Sequence, residues 1–243
     1  MNTIKLDAID STNDFLKELS SKNDLQNFTV VTANNQTNGK GQMGAEWISE
    51  SGKNLIVSIL IKDLLNNIDQ IFDLNIAIAL AIHEVLQLNN IPELSIKWPN
   101  DILSGNKKIA GILIENTIKS DKSIASIIGF GLNVNQVDFE NLEKASSLKN
   151  ICNKSFDKDA ILDEILIAFE KNINFIKNNN QNLLWEKYQQ LIFKKSVLMP
   201  FEDSNKIRFM GIIQEVTSSG KLRLLLENDV IQDFGIKELI MLY

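Results

Sequence analysis

Two apolar runs rich in β-branched residues, 28–31 and 55–61, bracket a long polar segment with glycine at positions 39, 41, 44 and 52. Runs of this kind form buried strands, and a loop of such length between them usually holds a ligand. Gly39, Gly41 and Gly44 spell G-x-G-x-x-G. That pattern grips a pyrophosphate when a helix starts at the glycines and turns its N-terminus towards the anion. Here Trp47 and Ser51-Gly52 follow, and then a strand, so no helix fits. The segment is expected to hold an anion through its own backbone amides and Lys40, closing over the ligand as a flap.

The remaining bounds are ordinary. A chain of 243 residues, 44% hydrophobic and 23% charged, builds a real core in one to two domains. A net charge of −6 argues against a general nucleic-acid binder but leaves room for a basic phosphate pocket. Cys152 is the only cysteine, which excludes a disulfide framework and a cysteine metal site and fits a reducing compartment. The N-terminus lacks the apolar core of a signal peptide, and no apolar run reaches membrane-spanning length. His83, the only histidine, falls in a mostly apolar helix expected over residues 68–88 and reads as structural, which weakens triad and zinc chemistries.

In chain order, a strand at 3–7 precedes Ser11-Thr12-Asn13-Asp14, where Ser11 and Asp14 make a capping-box pattern before Phe15, Leu16 and Leu19. A capped helix start also offers hydroxyls and amides to a polar ligand. Further on, a strand ends at Trp98, a Pro-Asn-Asp turn follows, and Gly105-Asn106 marks a hairpin. The strand at 109–115 is nearly all apolar and therefore central. A turn explains Asn100 and Asp101, but not Lys97 and Lys108 flanking so apolar a strand pair; such lysines reach solvent or hold an anion. A strand at 123–128 then runs into Gly129-Phe-Gly-Leu-Asn-Val-Asn135, whose glycines permit close backbone approach and whose Asn133 offers both donor and acceptor. Helices are expected at 157–177 and 182–193. From residue 196 the period shortens to strands at 196–201, 207–216, 221–227 and 230–234, with turns at 218–220 and at Asn228-Asp229.

Ser11-Thr12-Asn13, Gln36, Gly39-Lys-Gly-Gln-Met-Gly44 with Trp47, Lys97-Trp-Pro-Asn-Asp101, Lys108-Ile-Ala-Gly111 and Gly129-Phe-Gly-Leu-Asn133 resemble, in order and spacing, the motifs of biotin protein ligases. The resemblance covers almost the whole chain, and its Lys-Trp-Pro-Asn-Asp block is the most specific part. It implies an α+β fold: a mixed β-sheet with helices packed on one side over residues 1–193, then a small SH3-like β-barrel over 194–243. It implies that biotin and MgATP form biotinyl-5′-AMP, and that the biotinyl group then passes to a lysine of a biotin carrier domain of a carboxylase. By the same resemblance Lys108, Asp101 and Lys40 are the catalytic candidates. Ser11, Thr12, Asn13, Gln36, Gly39, Lys40, Lys108, Gly111 and Gly131 would line the biotin site. Lys40, Gln42, Trp47, Lys97, Asn100 and Asn133 would hold ATP or the adenylate, with Trp47 on the adenine, Asn133 at its edge, and Lys97 and Asn100 near phosphate and metal. Mg²⁺ would be bound mainly through ATP, with no protein ligand assigned. Asp101 would orient the acceptor amine and take its proton.

The family loop often reads Gly-Arg-Gly-Arg-Arg-Gly. Lys40, Gln42 and Met43 replace the arginines here, which predicts weaker retention of the adenylate. Larger members carry an N-terminal helix-turn-helix. With the motifs starting at Ser11, a cytoplasmic ligase without nucleic-acid or membrane partners is expected, as a monomer or homodimer. Two rivals are a lipoate ligase or octanoyl transferase, and a non-catalytic biotin-binding protein. The kinase-like triplet Asp233-Phe234-Gly235 lies inside the β-module, without the other kinase motifs.

Overall fold

The computed structural model describes residues 2–243 except 66, 68, 69, 119–122, 141 and 228. The expected helix start at Ile68 and the turn residue Asn228 lie outside the described residues. Seven strands form one mixed sheet in the order β1 (Asn2–Ile9), β2 (Thr29–Gln36), β3 (Leu55–Lys62), β7 (Ile124–Leu132), β6 (Lys107–Ile118), β5 (Asp101–Ser104) and β4 (Leu94–Lys97). The pair β1–β2 is parallel and the other neighbours are antiparallel.

Alternation along β3 gives the sheet two different faces. Leu55, Val57, Ile59 and Ile61 face the main core, which holds α2 (Ile71–Leu88) and α4 (Lys158–Lys177). Asn172 ties these helices by donating from Nδ2 to Ala77 O at 2.9 Å. The short α5 (Asn182–Gln190) packs on the same layer. On the opposite face, α1 (Thr12–Lys22) sets Leu16 against Val31, Leu60 and Ile127. This second face carries the candidate site. A one-turn-plus helix, α3 (Leu148–Cys152), lies near the end of β7.

The C-terminal strands β8 (Leu198–Asp203), β9 (Arg208–Val216), β10 (Leu222–Leu226), β11 (Ile231–Phe234) and β12 (Leu239–Met241) form an antiparallel sheet ordered β11-β10-β9-β8-β12. This matches the expected SH3-like module in strand content, though β11 and β12 remain at opposite edges and no ladder closes them into a barrel among the described residues. Asp233 is paired with Arg223 at 2.7 Å and Phe234 is buried, so the kinase-like triplet serves the β-module itself.

Several boundaries differ from expectation. Gly129 and Gly131 lie within β7 rather than in a loop after it. The helix expected to reach 193 stops at Gln190, because the chain after it pairs with β4: Ile96 N donates to Leu191 O at 2.8 Å and Phe193 N to Ile96 O at 2.9 Å. The α2 helix is, by length and hydropathy, apolar enough to cross a membrane, which corrects the expectation that no run is. It is 72% buried inside the fold, as the core helix of the main layer.

Candidate active site

Three glycines clear a trench on the α1 face of the sheet. Gly111 on β6 pairs directly with Gly131 on β7, and Gly131 pairs in turn with Ile56 on β3. Gly129 stands between Ser58 and Leu113. A strand glycine lets another group approach the backbone closely. Here a Cβ on Gly131 would strike the indole of Trp47, and one on Gly129 would strike the carboxamide of Asn13. A Cβ on Gly111 would lie 3.2 Å from both Lys108 Nζ and the Trp47 ring.

The start of α1 builds the polar wall. Ser11 caps the helix by accepting from Asp14 N at 3.3 Å. Thr12 donates from both N and Oγ1 to Gln36 Oε1, at 2.8 and 3.1 Å. Ser58 Oγ lies 2.8 Å from Thr12 Oγ1 and 2.6 Å from Asn13 Oδ1. Asn13 Nδ2 donates to Glu115 Oε2 at 2.9 Å. Ser11, Thr12 and Asn13 are buried, so their polar groups are fixed in low dielectric where each unmade bond costs free energy.

Charge gathers at the other end of the trench. Asp101, buried at the start of β5, stands between two ammonium groups: Lys108 Nζ at 2.6 Å from Oδ1 and Lys97 Nζ at 3.4 Å from Oδ2. Lys108 meets Asp101 Oδ1 as an ion pair without hydrogen-bond alignment. Asn100 clamps the preceding turn to β6, donating from Nδ2 to Ile112 O at 2.6 Å and accepting from Ile112 N at 3.0 Å. Asn133 donates to Ser146 O at 3.0 Å, while its Oδ1 is buried and unpaired.

The glycine segment folds over this trench as a tight hairpin with a single 3₁₀ turn, Gln42–Gly44. Lys40 bridges to Glu46, and Trp47 N donates to Gly39 O at 2.9 Å. Lys40 Nζ lies 2.6 Å from Asp14 Oδ2, and that bond raises the lysine's pKa. Trp47 turns its ring onto the glycines with Lys108 Nζ 5.7 Å from the ring centroid; the indole N–H is buried without an acceptor.

The trench divides into two cavities at Trp47 and Lys108. The first, about 470 Å³ with its open mouth, is bordered by Ser11, Thr12, Asn13, Gln36, Lys40, Gln42, Asn100, Gly111 and Gly131. The second, about 720 Å³ measured the same way, is bordered by Lys97, Asp101 and Asn133. Trp47 and Lys108 border both. Lys40 and Lys108 thus share the first cavity. Of the candidates, Gly39 alone borders neither. It is buried behind the hairpin, where a Cβ would press on Trp47 O and the Gln36 amide. His83 is well removed, buried on α2 with its pKa lowered by desolvation.

Sequence reasoning missed Ser58 and Glu115, which carry no motif and are recruited by strand register alone. It also missed Phe139, Leu142, Lys144 and Tyr243 on the second cavity. No group of three His, Cys, Asp or Glu side chains with metal-binding geometry exists among the described residues. Asp101, already flanked by two lysines, is a poor lone ligand for a divalent ion.

A family model described as the biotin/lipoate A/B protein ligase family matches residues 6–133. The chain is 33% identical over 189 residues to the bifunctional ligase/repressor BirA of Bacillus spizizenii, covering 75% of this chain and 58% of that protein. It therefore spans 58% of the length of the first curated relatives it matches. It is 28% identical over 222 residues to the biotin–[acetyl-CoA-carboxylase] ligase of Mycobacterium tuberculosis, covering 88% and 79% of the two chains. Among solved structures, the biotin protein ligase from Aquifex aeolicus in complex with biotin and ATP superposes with a TM-score of 0.82 at 26% identity, covering 99% of this chain and 98% of that one.

Proposed function

This chain belongs to the biotin/lipoate A/B protein ligase family, and from that premise we propose that it joins biotin to AMP and then to a carrier lysine. The observation that carries the reading is the divided trench, with its two halves meeting at Lys108. A carboxylic acid in the first half and a nucleotide in the second bring their reacting atoms together there.

In the first step a biotin carboxylate oxygen attacks the α-phosphorus of ATP. The new P–O bond forms as the bond to the β-phosphate breaks, and pyrophosphate leaves. Both partners are anions, so charge neutralisation and alignment dominate the barrier. Lys108 and Lys40 supply the charge, and Lys40 must exchange Asp14 for the ligand. Ser11, Thr12, Asn13 and Gln36 offer the hydroxyl and amide groups that suit a ureido ring, and Gly111 and Gly131 leave room for its tail. Trp47 covers the junction, and the unpaired Asn133 Oδ1 is an acceptor suited to the adenine amino group. Lys97 stands on the phosphate side, while Asn100 borders the first cavity and holds the turn between the two. Mg²⁺ would accompany ATP, bound mainly through the nucleotide, and would supply further positive charge.

In the second step a neutral carrier amine attacks the acyl carbon, the C–O bond to AMP breaks, and the amine loses a proton. Asp101, whose Oδ1 meets the Lys108 ammonium at 2.6 Å without hydrogen-bond alignment, orients that amine and receives the proton. The acceptor is a carrier domain of a biotin-dependent carboxylase, and the compartment is the cytoplasm. The division between catalytic domain and β-module falls between residues 193 and 194. Phe193 N still bonds to the first sheet at Ile96 O, whereas Ser196 N bonds to Ile213 O in the second.

The test is mass spectrometry after incubation with MgATP, a mixture of biotin, lipoate and octanoate, and an apo-carrier domain. A mass gain matching biotin, with pyrophosphate released, is the expected result, and Lys108→Ala should lower adenylate formation about 10²- to 10³-fold. Lipoyl or octanoyl addition would move the chain to the rival acyl chemistry, and biotin binding without pyrophosphate would make it a binding protein.

A further inference from the structure

The second cavity joins the motif lysines Lys97 and Lys108 to two residues outside every sequence motif, Lys144 and Tyr243. Lys97, Lys108 and Lys144 border it, against the carboxylates of Asp101 and Glu46. Asp101 serves both Lys97 and Lys108. Lys144 has no carboxylate partner among the described residues. Its amine lies instead 4.2 Å from the ring centroid of Tyr243, and that of Lys97 lies 5.2 Å from the same ring.

Both members are firmly placed. Lys108 N donates to Lys144 O at 2.7 Å, Ser146 N returns a bond to Lys108 O at 2.9 Å, and Asn133 Nδ2 holds Ser146 O. The segment bearing Lys144 is therefore fastened to the two residues on which the adenylate site depends. Tyr243 is braced edge-on by Phe193 at 5.0 Å, and its neighbour Leu242 N donates to Pro200 O at 3.1 Å. An aromatic face attracts an ammonium group without cancelling its charge. A carboxylate in the same place would hold the lysines equally well but would neutralise them towards an incoming anion. A ring shared by two lysines is thus a way to hold cations ready for a polyanion.

We infer that Lys144 and Lys97, set by the ring of Tyr243, form the seat of the β- and γ-phosphates of ATP, and so of departing pyrophosphate. The inference rests on the adenylating reading above and deepens it. Lys144 touches the phosphates, and Tyr243 is a positioning residue acting through the two lysines. Negative charge passes onto the leaving group as the α–β bond breaks, so cations on that side act in the transition state as well as in binding.

The test uses the full chain with Lys144→Ala, Tyr243→Phe and Tyr243→Ala. Lys144→Ala should raise the KM for MgATP, and for pyrophosphate in the reverse reaction, about tenfold. Affinity for biotinyl-5′-AMP, which has no β- or γ-phosphate, should stay unchanged. Tyr243→Phe keeps the ring and should match the wild type, while Tyr243→Ala should follow Lys144→Ala. An unchanged pyrophosphate KM in Lys144→Ala, an equal loss of adenylate affinity, or a Tyr243→Phe protein as impaired as Tyr243→Ala overturns the inference. A wild-type protein that forms no adenylate overturns the parent reading as well, and that failure shows before any substitution is made.

Discussion

Asp101 is the residue whose surroundings say most about its work. It is buried at the turn into β5 with a lysine against each oxygen, yet Oδ1 has no aligned donor. A buried carboxylate whose oxygen meets its cation off-axis keeps acceptor capacity for a donor that arrives only with the second substrate. Asp101→Asn preserves the shape and removes the charge. It should leave adenylate formation within about tenfold of wild type while lowering transfer to the carrier about 10²- to 10⁴-fold. The two steps separate as pyrophosphate release and carrier mass; equal loss in both would reduce Asp101 to a spacer between lysines. Lys97 and Lys108 drew notice in the sequence because charged groups beside so apolar a strand pair need a reason, whereas a turn accounted for Asp101 and only the family resemblance gave it a role. Ser58 and Glu115 drew no notice, because a serine in one apolar strand and an acid late in another look ordinary until register sets them against Asn13.

At the scale of elements, the glycine hairpin behaves as a closed cover. Its Lys40–Glu46 bridge and the Trp47-to-Gly39 bond shape it, and the cleared surface at Gly111 and Gly131 receives its tryptophan. Where related loops often carry arginine, Lys40 is tied to Asp14 on α1 and Gln42 borders the first cavity uncharged. Gln42→Arg restores a fork-shaped cation to that border. It should slow release of biotinyl-5′-AMP about five- to tenfold, followed by the labelling of bystander lysines. Release at the original rate would show that charge at this position does not govern retention. The long strands and α2 were readable from apolar runs. The short α3 and β12 were not, because elements of three to five residues show too few periods to stand out.

On the scale of the molecule, the two sheets share one continuous core, and their junction runs through the Lys-Trp-Pro-Asn-Asp motif that borders the proposed site. Buried Trp98 donates from Nε1 to Gly220 O at 2.8 Å, and Phe72 at the start of α2 packs so closely on Gly220 that no Cβ would fit. Gln189 fixes the same edge, accepting from Val216 N at 3.1 Å. The tryptophan before the Pro-Asn-Asp turn is therefore a docking point for the C-terminal module. Trp98→Phe keeps the aromatic packing and leaves Gly220 O without its donor. It should lower the free energy of unfolding by about 1–3 kcal/mol in denaturant titration and weaken carrier transfer in parallel. Unchanged stability would mean that the junction does not depend on this bond.

The local order of the chain was determined by the sequence itself: a capped polar helix start, a glycine segment that no helix follows, lysines beside apolar strands and a late change to short strands. Each is a near-neighbour property, set by backbone preference and by the periods of side-chain burial. Only the tertiary structure decided which of these features meet. Strand pairing set Gly111 opposite Gly131, brought α1 onto the face away from the main core, and carried Tyr243 to the same cavity as Lys97. Such encounters depend on register and packing between segments far apart in the chain, and no local pattern of residues encodes them.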